Sequence, residues 1–433
     1  MDDRKILELS EPMSLMYSRV ASQLIINIAR HFKDEREITE SAAQWRIKKL
    51  SELGALTEES IAIIANGTGR KNEYIRDAVG KALGITASEV DALMAAAALP
   101  PAPLVSASPS MAQVLEMFAA QAEQDTNLVN TVMLESTRSR YLMAVDRVVS
   151  AWEKERIEQL TETVSYEDLD AKLNTVQKIM NAGAGEAVLG AFSYTRAIRD
   201  TIGWLAEKGV TGFIDIGGHE WSPEAYVSMD IRTTIHNTAI KAQQTRAEEY
   251  GVYTFQISSK AVARPLCAPY QGQICSWNRG DRGQVHDLNG KVYDYISIYD
   301  TSYGEPAGIF GINCGHFPET FIPGYSLARY DKPDKAELER NSAAYERMQE
   351  QREIERGIRE AKTRVLAYDA AGSKEGFEKW ALKLNERRMR YREYCINHGV
   401  SERTNRIQVY GFDRRLSQKA ARVERRQTND KQG

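Results

Sequence analysis

The sequence predicts a mainly α-helical protein that carries one smaller α+β module. Long stretches such as residues 111–160 combine apolar residues at helical spacing with few glycines or prolines. Residues 257–325, in contrast, are rich in Gly, Pro and Tyr and hold three of the four cysteines and two of the six histidines. Such a composition requires many specific backbone conformations. We therefore expect long helices to flank a compact mixed module.

The bulk composition limits the class of protein. A chain of 433 residues, 42% hydrophobic and 27% charged, is long enough for two to four compact units. A formal charge of -3 argues against a uniformly basic nucleic-acid coat protein. No stretch approaches the roughly 18 apolar residues that span a bilayer, and the N-terminus lacks the pattern of a signal peptide. Four cysteines do not form a secreted disulfide framework, so we expect assembly in a reducing cytoplasm.

Residues 1–98 are expected to be helical, because apolar residues recur at helical spacing in residues 19–32 and 43–53. Thr57 and Thr86 each open a short polar sequence of the kind found at helix N-termini, and we expect helices to begin there. Residues 99–110 contain four prolines and no charge, which predicts a linker.

The pattern changes near Gly209, where small, apolar and polar residues alternate as in a strand or hairpin. Ser222 and the proline after it favour the start of a helix that Gly251 ends. Three strand-like pieces follow, at residues 252–258, 273–277 and 291–298.

The C-terminal part returns to charged helices, interrupted near residues 370–373. Residues 401–433 carry nine Lys or Arg against four Asp or Glu. We expect six segments: an N-terminal helical region (1–98), a Pro-rich linker (99–110), a helical bundle or stalk (111–208), an α+β signature module (209–330), a charged helical hairpin (331–400) and a basic tail (401–433).

A zinc site is one interpretation of the cysteine-rich window, since thiolate and imidazole are good tetrahedral ligands. The candidate ligands are Cys267, Cys275, Cys314 and His316. Their spacing matches no common zinc finger or ribbon. We prefer the interpretation that Cys267 and Cys314 are small buried apolar residues, and we predict no cofactor.

A Cys–His hydrolase is a second interpretation, with Cys314 or Cys267 as nucleophile and His316 or His286 as base. No oxyanion loop or residue that would orient the base is evident, so we predict no catalytic residue.

The glycines of the window do not form a phosphate-binding loop of a known pattern. We expect them instead to set turns with positive φ, at Gly304, Gly308, Gly311 or Gly315. The polar residues Asp215, His219, Glu220 and Asp230 show no paired spacing, and we expect them to be solvated.

Arg264 precedes Pro265, which favours an extended backbone at the arginine. Its planar guanidinium can join carbonyl groups across a loop, so we expect a structural rather than a substrate-binding role. Arg232, on the preceding helix, is a candidate for the same network.

These motifs resemble the phage minor capsid protein 2 family and, more loosely, the Mu F-like head morphogenesis proteins. The resemblance covers roughly residues 200–400. It is carried by the sequences WSPEAYVSM (221–229), RT (232–233), EYG (249–251), ARPLCAPYQG (263–272), TSYGEPAGIFGINCGH (301–316), FIPG (321–324), QREIER (351–356) and IR (358–359). One departure is Lys260, because family members often carry a histidine shortly before the Arg-Pro segment.

The resemblance implies a minor structural protein of a tailed-phage or prophage head, present in few copies inside the capsid. It implies the portal protein or the major capsid protein as partner, and the basic tail is able to contact packaged double-stranded DNA. The residues that it identifies as a structural signature are Trp221, Arg232, Arg264, Pro265, Cys267, Gly272, Gly304, Gly311, Asn313, Cys314 and His316.

Two alternatives to this function stay open. Mu F-like domains occur in toxin-like proteins, which suggests an ADP-ribosyltransferase or a nuclease. The other alternative is a DNA-binding virion protein that acts through residues 401–433.

Overall fold

A computed structural model describes residues 1–32, 41–162 and 186–430 and confirms a mainly α protein with a smaller α+β region. The helices are α1 (Asp3–His31), α2 (Ala42–Thr68), α3 (Lys71–Ala96), α4 (Pro109–Glu162), α5 (Glu186–Lys208), α6 (Pro223–Glu249), α7 (Lys335–Ala371), α8 (Lys374–His398) and α9 (Arg414–Asp430). The strands are β1 (Phe213–Ile214), β2 (Glu220–Trp221), β3 (Thr254–Ile257), β4 (Ile274–Ser276), β5 (Gly283–His286), β6 (Val292–Ser297) and β7 (Pro318–Thr320). Part of the predicted region 111–208, residues 163–185, lies outside the described residues. Among the helices described, none has the length and apolar character needed to cross a membrane.

The chain divides into two compact units, each made of separate stretches of sequence. Unit 1 comprises Met1–Met16, Gly69–Leu128 and Glu224–Arg352, and it contains the larger sheet. Unit 2 comprises Tyr17–Thr68, Val129–Pro223 and Glu353–Gly433, and it contains the β1–β2 pair.

Local signals set the bounds of several elements. The helix α6 begins at Pro223 and ends at Glu249, and Gly251 follows with φ of 74°. The helix starts predicted at Thr57 and Thr86 are wrong, because both threonines lie inside helices. The Thr57 hydroxyl donates to the carbonyl of Leu53, 2.7 Å away, so it bonds back along its helix instead of capping one.

The sheet of unit 1 has the order β5-β6-β4-β3-β7. The β4–β6 pair is parallel and the other neighbours are antiparallel. Its core is aromatic, with the rings of Phe255 and Trp277 stacked at 4.1 Å between centroids. The predicted strands near residues 252, 273 and 291 are present as β3, β4 and β6. The sequence analysis missed β5 and β7.

Unit 2 confirms the hairpin predicted after Gly209, as the antiparallel β1–β2 pair. Two of its polar residues that we expect to be solvated, Asp215 and Glu220, have 34% and 46% of their side chains exposed and also have polar partners. Asp215 accepts a hydrogen bond from the backbone N–H of His219 at 2.8 Å, which is the main cause that lowers the pKa of its carboxyl group. Glu220 forms an ion pair with Arg140 of α4.

The core of unit 2 includes a buried charge on α7. Glu355 is 1% exposed and accepts hydrogen bonds from the Tyr391 hydroxyl at 2.8 Å and from Nε of Arg403 at 2.7 Å. These bonds join α7, α8 and the segment that follows α8, so the charged helical hairpin has a buried side.

Candidate functional site

Two signature segments lie in unit 1: the Arg-Pro loop (263–272) and the Gly-Ile-Asn-Cys-Gly-His segment (311–316). They meet because β3 and β7 are neighbours in the sheet. Ile257 of β3 is paired with Pro318 of β7. Just beyond this pair, the backbone N–H of Ser258 donates to the carbonyl of Phe317 at 2.9 Å, and the Ser258 hydroxyl accepts from the N–H of Phe317 at 2.8 Å. The chain therefore enters the Arg-Pro loop and leaves the Gly-Ile-Asn-Cys-Gly-His segment at the same place.

This pairing brings two thiols and an imidazole together. The Sγ atoms of Cys267 and Cys314 are 4.0 Å apart, and Sγ of Cys314 is 3.4 Å from Nδ1 of His316. All three residues are buried, with exposures of 1%, 7% and 2%. Cys275 is buried in the same hydrophobic core, but it is outside this group of three.

Gln271 fixes the orientation of the His316 ring. Its Oε1 atom accepts from the backbone N–H of Lys260 at 2.5 Å, which identifies that atom as an acceptor. The same Oε1 atom is 3.1 Å from Nε2 of His316, so Nε2 is the nitrogen that donates. Nδ1 therefore points at Cys314. Gln271 lies within the ARPLCAPYQG segment (263–272) but was not predicted as a site residue.

The cluster makes its two thiols unequal. A hydrogen bond from Cys267 lowers the pKa of Cys314. The hydrogen bond to Cys314, together with burial, raises the pKa of Cys267. A second histidine is also buried: Nε2 of His236 donates to the carbonyl of His316 at 2.9 Å, and burial lowers the pKa of its imidazole.

Arg264 joins the two segments. Its guanidinium donates to the carbonyl of Ile312, while its own carbonyl accepts from the N–H groups of Cys267 and Ala268. Arg264 is only half-buried and Pro265 is exposed. Arg232 donates through Nε to the carbonyl of Ser228 on its own helix, at 2.7 Å.

The glycines act partly as expected. Gly304 has φ of 94° and Gly272 has φ of 72°. The prediction of positive φ is wrong for Gly308, Gly311 and Gly315, where close approach of other atoms is the constraint. A Cβ atom on Gly311 would lie 2.6 Å from the carbonyl oxygens of Glu305 and Pro306. The segment instead places Phe310 and Asn313 at positive φ, of 60° and 54°.

The remaining signature and candidate residues lie elsewhere. Trp221 belongs to unit 2, where its indole N–H donates to Asp215 at 3.2 Å. His286 is exposed on the edge strand β5, and the hydrolase interpretation therefore has only His316 beside the thiols.

The arrangement has two chemical capacities. Two sulfur atoms and an imidazole nitrogen can ligate a soft or borderline metal ion. Cys314, His316 and Gln271 also form a thiol–imidazole–amide chain, the order of groups found in cysteine nucleophile sites. Burial of all three residues closes this chain to a large substrate.

Comparisons with known proteins agree with these motifs. The chain is 28% identical over 337 residues to a structural protein of Lactococcus phage LL-H, covering 77% of this chain and 80% of that protein. It is 40% identical over 79 residues to a structural protein of Lactococcus phage mv4, covering 18% of this chain and 62% of that protein. No solved structure matches the chain. The model of the family described as phage minor capsid protein 2 matches residues 1–155 and 143–395, and the chain belongs to this family.

Proposed function

We propose that this protein is a minor structural component inside the head of a tailed phage or prophage, where it contacts the portal or the major capsid protein during head morphogenesis or DNA packaging. Membership of the minor capsid family is the observation that carries the proposal. The two relatives named as structural proteins support it. During assembly the protein would be present in the host cytoplasm.

The internal location and the partner can be tested together. Purified particles are treated with protease before and after the heads are opened, and the chain is followed by mass spectrometry. We expect it to be protected in closed heads and degraded in opened ones. Co-expression with the portal and, separately, with the major capsid protein should yield a complex with one of them. Absence of the chain from particles, or degradation in closed heads, would contradict the proposal.

The helix α9 is the part suited to contact packaged DNA. Leu416 and Ala420 are buried on one side of it. Its exposed side carries Arg414, Arg422, Arg425 and Arg426. Contacts between arginine and phosphate carry no sequence information, so this surface suits backbone binding to DNA of any sequence.

The DNA contact is tested by replacing Arg422, Arg425 and Arg426 with glutamate. We expect the variant to lose most of its affinity for double-stranded DNA and the wild type to bind with a steep salt dependence. A control places glutamates at Arg390 and Arg392 on α8, which is also arginine-rich, and the loss of affinity is compared per charge reversed. Equal DNA affinity of the α9 variant and the wild type would remove this contact from the proposal.

A toxin-type enzyme that acts through a thiol on a small substrate is a second candidate, favoured by the buried Cys314–His316–Gln271 chain of unit 1. It predicts growth arrest when the protein is expressed in a bacterium, and recovery with Cys314→Ala. Harmless expression of the folded wild-type protein would argue against it.

A further inference from the structure

We propose that Cys267, Cys314 and His316 bind one zinc ion. The site goes beyond the proposed structural function, because it assigns a metal to unit 1. It also differs from the four-ligand set considered from the sequence, since Cys275 lies outside the group and three side chains remain.

Two of the three distances within the cluster match those of a tetrahedral zinc site. With Zn–S bonds of about 2.3 Å and Zn–N bonds of about 2.0 Å, two sulfur ligands lie about 3.8 Å apart and a sulfur and a nitrogen about 3.5 Å apart. The observed distances are 4.0 Å between the sulfur atoms and 3.4 Å from Cys314 to His316. The ligand atoms of all three residues lie within 4.8 Å of one another.

The hydrogen bond to Gln271 prepares His316 for ligation. A histidine that binds metal usually donates its other ring N–H to a fixed oxygen acceptor, which sets the tautomer and the ring orientation. Gln271 supplies that acceptor at 3.1 Å from Nε2, and it is itself only 6% exposed. Nδ1, the atom that faces Cys314, is then the ligating nitrogen.

A water molecule would occupy the fourth coordination position of the zinc ion. Among the described residues, three side chains at this point can bind a metal. Cys314 is the most exposed of the three, at 7%. An ion at this point would bridge Cys267 on the Arg-Pro loop and Cys314 in the Gly-Ile-Asn-Cys-Gly-His segment. It would therefore stabilise unit 1 by holding these two segments together.

The site can be tested on the full-length protein by measuring its metal content. Protein expressed with added zinc should contain about one zinc ion per chain by mass spectrometry of the metal. Cys267→Ser, Cys314→Ser and His316→Asn should each lose most of it. Cys275→Ser is the matched control, because that thiol is buried in the same core, and it should keep the metal. Zinc-free wild-type protein, or equal zinc in Cys314→Ser, would overturn the proposal.

A spectroscopic measurement on the wild-type protein guards against variants that fail to fold. Replacing zinc by Co²⁺ should give thiolate-to-cobalt charge-transfer absorption and the strong visible bands of tetrahedral cobalt. The weak visible bands of octahedral cobalt, without charge-transfer absorption, would contradict a thiolate site.

Gln271→Ala tests the positioning of His316. Loss of such an acceptor should weaken zinc affinity by about 10- to 100-fold while leaving the cobalt charge-transfer bands from the thiolates. Gln273→Ala is the control, because this buried glutamine donates to the carbonyls of Ile274 and Asp294 instead. Equal zinc affinities of the two variants would remove Gln271 from the site.

Discussion

Asp91 of α3 and Arg246 of α6 form a two-bond ion pair, with Nε to Oδ1 at 2.6 Å and Nη2 to Oδ2 at 3.0 Å. Arg246 is only 2% exposed. Its Nη1 atom also donates to the carbonyl of Pro103 at 2.7 Å and to Glu249 at 2.5 Å. A single guanidinium thus ties α3 and the proline-rich segment to α6 within unit 1.

Asp91→Asn should lower the free energy of unfolding by about 1–3 kcal/mol, because it removes a charged partner from a buried arginine. Chemical denaturation would measure the change. Asp77→Asn is the control on the same helix: its ion pair with Lys81 is exposed on both sides, and the expected loss is below about 0.5 kcal/mol. Equal effects of the two changes would contradict a special role for Arg246.

Gly308→Ala should destabilise unit 1 by about 2 kcal/mol or more, because the added Cβ would collide with the backbone carbonyl of Ser302. Gly84→Ala should have the opposite effect on stability. Apart from the adjacent residues and backbone of its own helix, no atom lies within 4 Å of a Cβ at Gly84, and the change should stabilise the protein by up to about 1 kcal/mol. Thermal unfolding of both variants tests whether close packing is the reason why glycines are needed in residues 257–325.

Asp230→Asn should change the pH dependence of stability. Burial, with a smaller contribution from Asp125, raises the pKa of Asp230 to about 7, and its Oδ2 atom has no hydrogen-bond partner. This corrects the expectation that Asp230 is solvated. The folded state keeps a proton that the unfolded state releases near its ordinary pKa of 3.8. Stability should therefore fall as the pH rises from about 4 to about 7.

Asn cannot ionise, so Asp230→Asn should be more stable than the wild type by up to about 4 kcal/mol at pH 8 and close to it at pH 4. Denaturation at both pH values measures this, with Asp77→Asn as an exposed carboxylate control. A constant difference between wild type and Asp230→Asn at the two pH values would contradict the raised pKa.

Lys260→His tests the open position of the proposed zinc site. The Lys260 ammonium lies against Gly315, between Cys314 and His316, and forms an ion pair with Asp3. Lys260 interacts electrostatically with Cys314, so we expect an imidazole at this position to supply a fourth ligand and zinc to dissociate at least about tenfold more slowly, as measured by transfer to a chelator. Lys291→His, on an exposed turn, should leave the rate unchanged.

Local sequence signals predicted much of the fold. The helix α6 was recognised at both ends because Ser222, Pro223 and Gly251 act through short-range backbone geometry. The strand β7 was missed because its three residues carry no alternation and owe their conformation to pairing with β3, more than 60 residues earlier.

The candidate site shows the same limit. Cys267 and Cys314 were both recognised as unusual, but their ligand spacing fitted no known pattern because β3–β7 pairing, rather than a local turn, brings them together. Gln271 could not be identified, since a lone glutamine has no sequence signature. Its role depends on the backbone N–H of Lys260 and the ring of His316.

The contacts between the two signature segments limit which parts of this chain related phages can exchange. Arg264 bonds to Ile312, Cys267 faces Cys314 and Gln271 orients His316, so these three residues of the first segment each have a partner in the second. A genetic exchange between related phages with its crossover between residues 273 and 311 would separate these partners. Viable hybrids should therefore inherit residues 258–317 from a single parent.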